Sequence, residues 1–293
     1  MLSEEKLLNA GLCALVSVDG SDMSPVEAAR TSYGDLAGNH TQKENEGLDD
    51  YLIRKSHGGP LEFTGITYYM VLPIFVCRQL IRHRIGVSIN EESLRYVEPR
   101  KEFYIPESRE CKTQSQSSKQ GSSNTLVDNA KDVSRLIEEA GDASHMVYQS
   151  LLETGLSKEL CRTVLPLGQY SAWYMKFNLR SIFALLTLRL DSHVQEQTKV
   201  YAESMLRQIE PYFPVCIKAW KNHVLNSVTF SQDEWKVVKY LIEASSLPGV
   251  DICNAEDRKV IVTQKAKLEG LRSTRIGELL EKLGEVVNGS SDD

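Results

Sequence analysis

ITYYMVLPIFVCRQLIRHR, residues 66–84, changes its period in the middle. The first part, 66–73, is β-branched and aromatic and reads as a strand. Pro73 ends it and can open a helix through 74–84, on which Arg78 and Arg82 stand four apart and share a face. Strands and helices of this kind alternate along the chain without the even rhythm of parallel βαβ units, so the predicted class is α+β.

Working outward, residues 13–20 read as an early strand, and 23–34 as a helix with Ser24 at its N-cap and Pro25 at the first helical position. Residues 170–178, YSAWYMKFN, alternate large apolar side chains with smaller or polar ones and fit a half-buried strand. Asn178 suits the N-cap of the helix that follows. Ser192 and Gln195 have the spacing of a capping box for another helix over 193–212. A long helix over about 126–154 carries Leu126, Val133, Leu136, Ile137 and Met146 as an apolar stripe, expected to face the core. Residues 112–125, KTQSQSSKQGSSNT, have too few apolar groups to offset the entropy of ordering, which predicts a mobile polar insertion near 110–125. The expected organisation is a main domain over 1–224 and a helical C-terminal extension over 225–293, with the last six residues frayed.

The chain has 293 residues, 41% of them hydrophobic, enough for a core without covalent staples. Acidic residues outnumber basic ones 40 to 34 for a net charge of -6. That argues against nucleic-acid or membrane-surface binding, which rests on broad basic fields. The six cysteines are scattered, with no C-x-x-C pair and no histidines at zinc-ligand spacing, so no metal site is expected. Reduced thiols, the absence of a signal-like start and the lack of a long apolar run point to a cytoplasmic protein.

Against that acidic background, five arginines and a histidine fall within 23 residues: Arg78, Arg82, His83, Arg84, Arg95 and Arg100. Guanidinium groups fork two hydrogen bonds to phosphate or carboxylate, so this density points to an anionic ligand rather than a solvated helix end. Asn90, Glu91, Ser93 and Tyr96 interleave donors and acceptors, as recognition of a base requires. A second constellation is His57-Gly-Gly-Pro-Leu-Glu62. A third is NLR (178–180) followed by LRLDSH (188–193), where a continuous helix would set Arg189 and His193 four apart toward one ligand. Singly, each has a plain reading: His57 as a turn residue, Glu62 as a salt-bridge partner, His193 as a locally bonded helix end. Their co-occurrence carries the functional reading.

These segments together resemble the flavin-dependent thymidylate synthases. The likeness runs through AARTSY (28–33), SHGGPLE (56–62), PIFVCRQLIRHR (73–84), SINEESLRY (88–96), EFYIP (102–106), CRTVLPL (161–167), FNLRS (177–181) and LRLDSHVQ (188–195), covering about residues 12–222. It implies a twisted antiparallel sheet flanked by helices and a homotetramer with active sites at subunit interfaces. It also implies the chemistry: FAD, reduced by NADPH, carries the one-carbon unit of 5,10-methylenetetrahydrofolate to C5 of dUMP. By the same resemblance, Arg82, His83, Arg84, Asn178, Arg180 and His193 hold FAD, with His57 and Glu62 near the flavin and its reductant or folate. Gln79, Arg82, Glu91, Glu92, Ser93 and Arg95 fall where dUMP binds, Arg162 reaches the nucleotide from a neighbouring subunit, and Arg189 polarises the uracil ring.

The chain departs from the family's pattern at several positions. Eight residues, not the usual seven, separate R-H-R from Ser93, and the extra one is placed at Gly86–Val87 because glycine accommodates a local bulge. Gly59, Phe63 and Ala184 stand where hydrogen-bonding residues are common in the family. The altered loop keeps open a C5-methylase or hydroxymethylase of UMP or another pyrimidine nucleotide. A non-catalytic nucleotide-binding protein is the more distant alternative, since a phosphate clamp alone has no use for Asn178, Arg180, Arg189 and His193.

Overall fold

The computed structural model describes residues 1–116, 121–244 and 255–284. The chain divides into two compact units, Met1–Leu225 and Asn226–Asp293.

The first unit opens with strands β1 (Ser3–Leu7) and β2 (Gly11–Asp19), helix α1 (Met23–Thr31) and helix α2 (Gln42–Arg54). Strand β3 (Gly65–Pro73) runs directly into α3 (Ile74–Leu80), with Pro73 as the N-cap, and a turn carrying Arg82–Arg84 leads to β4 (Val87–Glu91). A two-stranded ribbon, β5 (Lys112–Gln114) and β6 (Ser122–Leu126), precedes the long helix α4 (Ala130–Glu153). Short α5 (Lys158–Cys161), strand β7 (Tyr170–Phe177), α6 (Leu179–Arg189), α7 (Glu196–Ile209) and α8 (Pro214–Trp220) complete the unit.

The main sheet has the order β1-β2-β3-β7-β4, antiparallel throughout. Side chains alternate across it. Ile66, Tyr68, Met70 and Leu72 of β3 share one face with Trp173, Met175 and Phe177 of β7, and this face belongs to the main core with residues of α3, α6, α7 and α8. Hydrogen bonds tie α7 to the sheet: Tyr68 donates to the Met205 carbonyl at 2.8 Å, and Tyr201 to the Val71 carbonyl at 2.7 Å. Each large side chain withdrawn from water here contributes about 1.5–3 kcal/mol. On the opposite face, Tyr69 and Tyr174 lie across from each other, and Tyr174 stays half exposed.

Several expectations need correction. Helix α1 is capped by Asp22, not Ser24, without a side-chain bond. The Asp22 carboxylate instead accepts the N–H groups of Val215 and Cys216, satisfying the start of α8. The box at Ser192–Gln195 does not form, because α7 begins three residues later than the pattern suggested, with Gln195 as an N-cap whose side chain makes no capping bond. The polar segment 112–125 contains the paired ribbon β5–β6, whose backbone bonds give it order that composition does not show; residues 117–120 lie outside the described residues. Along α4, only Gly141 and Tyr148 are buried, whereas Leu136 and Met146 are 57% and 64% exposed and Ile137 is also exposed; Leu126, exposed too, ends β6 and is not on the helix. The period was that of a helix with an apolar stripe, but among the described residues nothing covers that stripe.

Cys13, Cys77, Cys111, Cys161 and Cys216 are buried free thiols, and Cys253 lies outside the described residues. In the second unit, α9 (Gln232–Ala244), α10 (Ala255–Leu268) and α11 (Ser273–Lys282) enclose a small core of Val237, Leu241, Val262, Ala266, Ile276, Leu279 and Leu280. Its buried Glu234 is held by Arg275, Lys282 and the Ser231 N–H. Residues 288–293, expected to fray, are outside the described residues. Among the described residues, no helix is long and apolar enough to cross a membrane.

Candidate active site

Helix α6 organises the candidate site. Asn178 caps its start: the side chain accepts the Ser181 N–H at 2.8 Å while Ser181 Oγ accepts the Asn178 N–H at 3.0 Å. The chain approaches this cap at Gly86, whose φ is +68° and whose missing Cβ would sit 3.0 Å from Asn178 Nδ2. Glycine tolerates the left-handed backbone that this close approach requires. The strand after it pairs Val87 with Phe177 and Glu91 with Trp173.

Near the start of α6, Arg180 forms an ion pair with Glu62. Its side chain crosses Gly58, where an added Cβ would come within 2.6 Å of Nε. Thr64 Oγ1 accepts the Leu179 N–H at 2.8 Å, fixing the Glu62 loop against the helix. His57 sits on the turn after α2, edge-on to Tyr51 at 5.6 Å. Beside Gly58 and Arg180 lies a groove of about 270 Å³, whose lining includes Leu61, Phe183, Ala184 and Trp220. Phe183 and Trp220 stack with centroids 5.0 Å apart.

At the other end of α6, Arg189 converges with α3 and the turn after it. Arg189 Nε donates to His83 Nε2 at 3.0 Å, and Nη2 donates to the Gln79 carbonyl at 2.8 Å. Both Arg189 and His83 are half-buried. Burial lowers the Arg189 pKa from the usual guanidinium value, while burial and then the Arg189 charge lower that of His83. The Gln79 side chain donates to Gln195 Oε1 at 2.5 Å. Arg78, Arg82 and Arg84 are exposed and pair with nothing among the described residues.

A third group stands at the end of β4. Glu91 accepts from buried Ser171 Oγ at 2.6 Å, and Glu92 accepts the Ala172 N–H at 2.9 Å with Arg100 Nε 3.5 Å away. The Ser93 hydroxyl accepts the Arg95 N–H at 3.4 Å, and Arg95 pairs with Glu159 at 2.9 Å.

One expected placement differs. His193 does not share a helix with Arg189, because α6 ends at Arg189. His193 lies on an exposed loop, bonded to Asp191 through its N–H at 2.8 Å and Nδ1 at 3.0 Å. Arg162 is exposed on a short 3-10 turn and meets no other member of the set among the described residues. Ser171, Gln195, Glu159 and Asp191 were missed as partners of the expected residues. Only Asp191 and Gln195 lay inside a motif that the sequence singled out.

The Thymidylate synthase complementing protein family matches residues 14–215. The chain is 38% identical over 252 residues to the flavin-dependent thymidylate synthase of Ehrlichia ruminantium (strain Gardel), covering 86% of this chain and 84% of that protein. It is 41% identical over 223 residues to the Kosmotoga olearia enzyme of the same name, covering 75% and 94%. Among solved structures, it resembles the UMP/dUMP methylase PolB from Streptomyces cacaoi bound with 5-Br dUMP, with a TM-score of 0.68, 32% identity, and coverage of 76% of this chain and 100% of that one. With the family matched across most of the first unit and an α+β sheet framing the arginine cluster, this chain belongs to the flavin-dependent thymidylate synthase family and is a methyltransferase.

Proposed function

We propose that this chain transfers a one-carbon unit from 5,10-methylenetetrahydrofolate to C5 of dUMP, using FAD and NADPH and giving dTMP and tetrahydrofolate. The observation that carries this reading is the fixed guanidinium of Arg189. Two of its five N–H donors are committed to His83 and Gln79. The remaining donors can meet a uracil carbonyl. A cation held there stabilises the enolate-like charge that develops as C5 attacks, with no reorganisation needed at that moment. Burial weakens competition from water without neutralising the group.

The residues fit a flavin nucleotide. The groove beside Arg180 offers flat apolar and aromatic walls, and Ala184 leaves it open. The turn bearing Arg82 and Arg84 reaches Asn178 through Gly86, and its exposed, unpaired guanidiniums are suited to a pyrophosphate. Asn178, Arg180, His83 and His193, with His57 and Glu62 alongside, would hold the cofactor. When bound, it supplies the redox equivalents that turn a methylene into a methyl. Ser93 and Arg95 would hold the nucleotide phosphate, and Glu91 and Glu92 its polar edge; Arg95 exchanges Glu159 for that phosphate.

Arg162 and the apolar stripe on α4 favour a homotetramer with shared sites. The cation finds no anion in its own chain among the described residues, and Leu136, Ile137 and Met146 need a cover. In this reading, the unit Met1–Leu225 carries the reaction, the second unit is an appendage, and the protein is cytoplasmic. The likeness to a methylase of both UMP and dUMP favours a second reading, in which UMP is also accepted.

The test is an anaerobic absorption titration of the protein with FAD, followed by NADPH with and without nucleotide, and then mass analysis of products from dUMP and UMP. Bleaching of the flavin and a product heavier than dUMP by one methylene are expected. A product one oxygen heavier still would replace methylation by hydroxymethylation. Failure to retain flavin would refute the reading.

A further inference from the structure

The bond between His83 and Arg189 restricts the chemistry of both residues. A guanidinium only donates, so His83 Nε2 must accept at the observed 3.0 Å. The imidazole is therefore neutral and carries its proton on Nδ1. Its backbone is also fixed, because the His83 N–H donates to the Leu80 carbonyl at 3.0 Å and closes the end of α3. Together with the Gln79 carbonyl, the ring forms a two-point seat that sets the plane of the Arg189 guanidinium.

We propose that His83 is a positioning residue for Arg189, acting as a neutral acceptor that aims the guanidinium at the nucleotide. The assignment rests on the reading of Arg189 as the group that polarises the base, and it is separate from contact with the flavin.

The surroundings support a neutral ring. Among the described residues its ring bonds only the Arg189 cation from α6, which also holds the Gln79 carbonyl of α3; its chain neighbours Arg82 and Arg84 are also cations. Among the described residues no carboxylate pairs with it. Half-burial and the adjacent Arg189 both hold its pKa below the ordinary imidazole value of 6.5. Protonation would convert the acceptor into a donor and set two cations against each other, which unseats Arg189. The acid limb of activity should then lie below 6.5, where this imidazole gains its proton.

The test uses the full chain with FAD, NADPH, the folate donor and dUMP, all saturating, and compares His83→Leu with His83→Gln, whose amide oxygen can replace the lost acceptor. For His83→Leu, kcat is expected to fall about 10²-fold, the size of effect seen when a reacting group is misplaced by about 1 Å. KM for dUMP should stay within about threefold, since an interaction of the transition state alone is lost. His83→Gln should recover at least about tenfold of that kcat and lose the acid limb.

A second readout needs no turnover: ¹⁵N-histidine NMR of the wild type at neutral pH should show His83 protonated on Nδ1 alone. Three results would overturn the proposal: a proton on Nε2, a His83→Gln variant no better than His83→Leu, or a His83→Leu defect that vanishes when flavin is raised. The last would leave His83 as a flavin ligand only. If wild-type protein shows the Nδ1 tautomer but turns over no pyrimidine nucleotide, the proposed reaction fails, and the role of His83 fails with it.

Discussion

Replacing Asp49 with asparagine should make the protein more stable above neutral pH. Asp49 lies on α2 with 1% exposure, and its Oδ1 has no hydrogen-bond partner. Ligand atoms of Asp49, Asp22 and Cys216 lie within 4.8 Å of one another, and the Asp22 carboxylate is pinned by the first N–H groups of α8. Burial, followed by the Asp22 charge, pushes the Asp49 carboxyl up from 3.8 to about 7. Because the folded state holds this proton more tightly than the unfolded chain, stability is greatest below about pH 4. It falls by about 1.4 kcal/mol per pH unit up to about pH 7 and then levels off. The full span is about 4 kcal/mol. Asparagine keeps the shape of the protonated carboxyl and cannot ionise. Asp49→Asn should therefore match the wild type within about 1 kcal/mol near pH 4 and exceed it by about 3–4 kcal/mol at pH 8. Urea unfolding at fixed protein concentration, followed through the fluorescence of buried Trp173 and Trp220, measures this directly. Stability curves that stay parallel from pH 4 to 8 would refute a protonated Asp49.

Arg189→Ala is expected to lower methyl transfer by about 10²–10³-fold while leaving NADPH-driven flavin reduction near normal, as compared by stopped-flow absorbance and product assay. Arg95→Ala should weaken dUMP binding by about tenfold in calorimetry, with little change in stability because its Glu159 pair is exposed. Unchanged affinity would argue against the placement of the extra residue at Gly86. Leu136→Glu combined with Ile137→Lys should shift the protein to a smaller species in light scattering, with its helix content retained. In the second unit, burial opposes the charge of Glu234, but Ser231, Lys282 and Arg275 outweigh it and hold the carboxyl at about 2. The stability this gives is present above about pH 4.5 and lost as pH falls toward 2. Glu234→Gln should lower hydrogen-exchange protection of α9 and α11 by about tenfold at pH 7.

Much of the fold was legible because its signals are local. Pro73 separates a strand from a helix by fixed backbone geometry, and Asn178 caps α6 through a bond reaching three residues along the chain. Where the competing partner is distant, the local signal misleads. Asp22 stands at the N-cap of α1, yet its carboxylate satisfies the start of α8, almost two hundred residues away in sequence. The stripe on α4 announced that it needs burial, but periodicity carries no information on whether the covering surface belongs to the same chain. For the site, motif residues located the arginines, whereas their orientation depends on tertiary neighbours. Ser171, which anchors Glu91, stands in the sequence as one small residue within a strand.

Helix α6 also sets a length. Asn178 closes one end and Arg189 forms the other, eleven residues on, so at 1.5 Å per residue the two stand about 16 Å apart. On the proposed reading, the helix is a caliper whose jaws are the cofactor side and the base side of the reaction, and its gap is set by residue count rather than by any side chain. Its setting is angular as well as linear. Adding one residue to α6 would lengthen the gap by only about 1.5 Å but turn Arg189 by about 100°, away from His83 and Gln79. Substitutions along the exposed side of α6 leave that spacing intact; insertions and deletions within it do not.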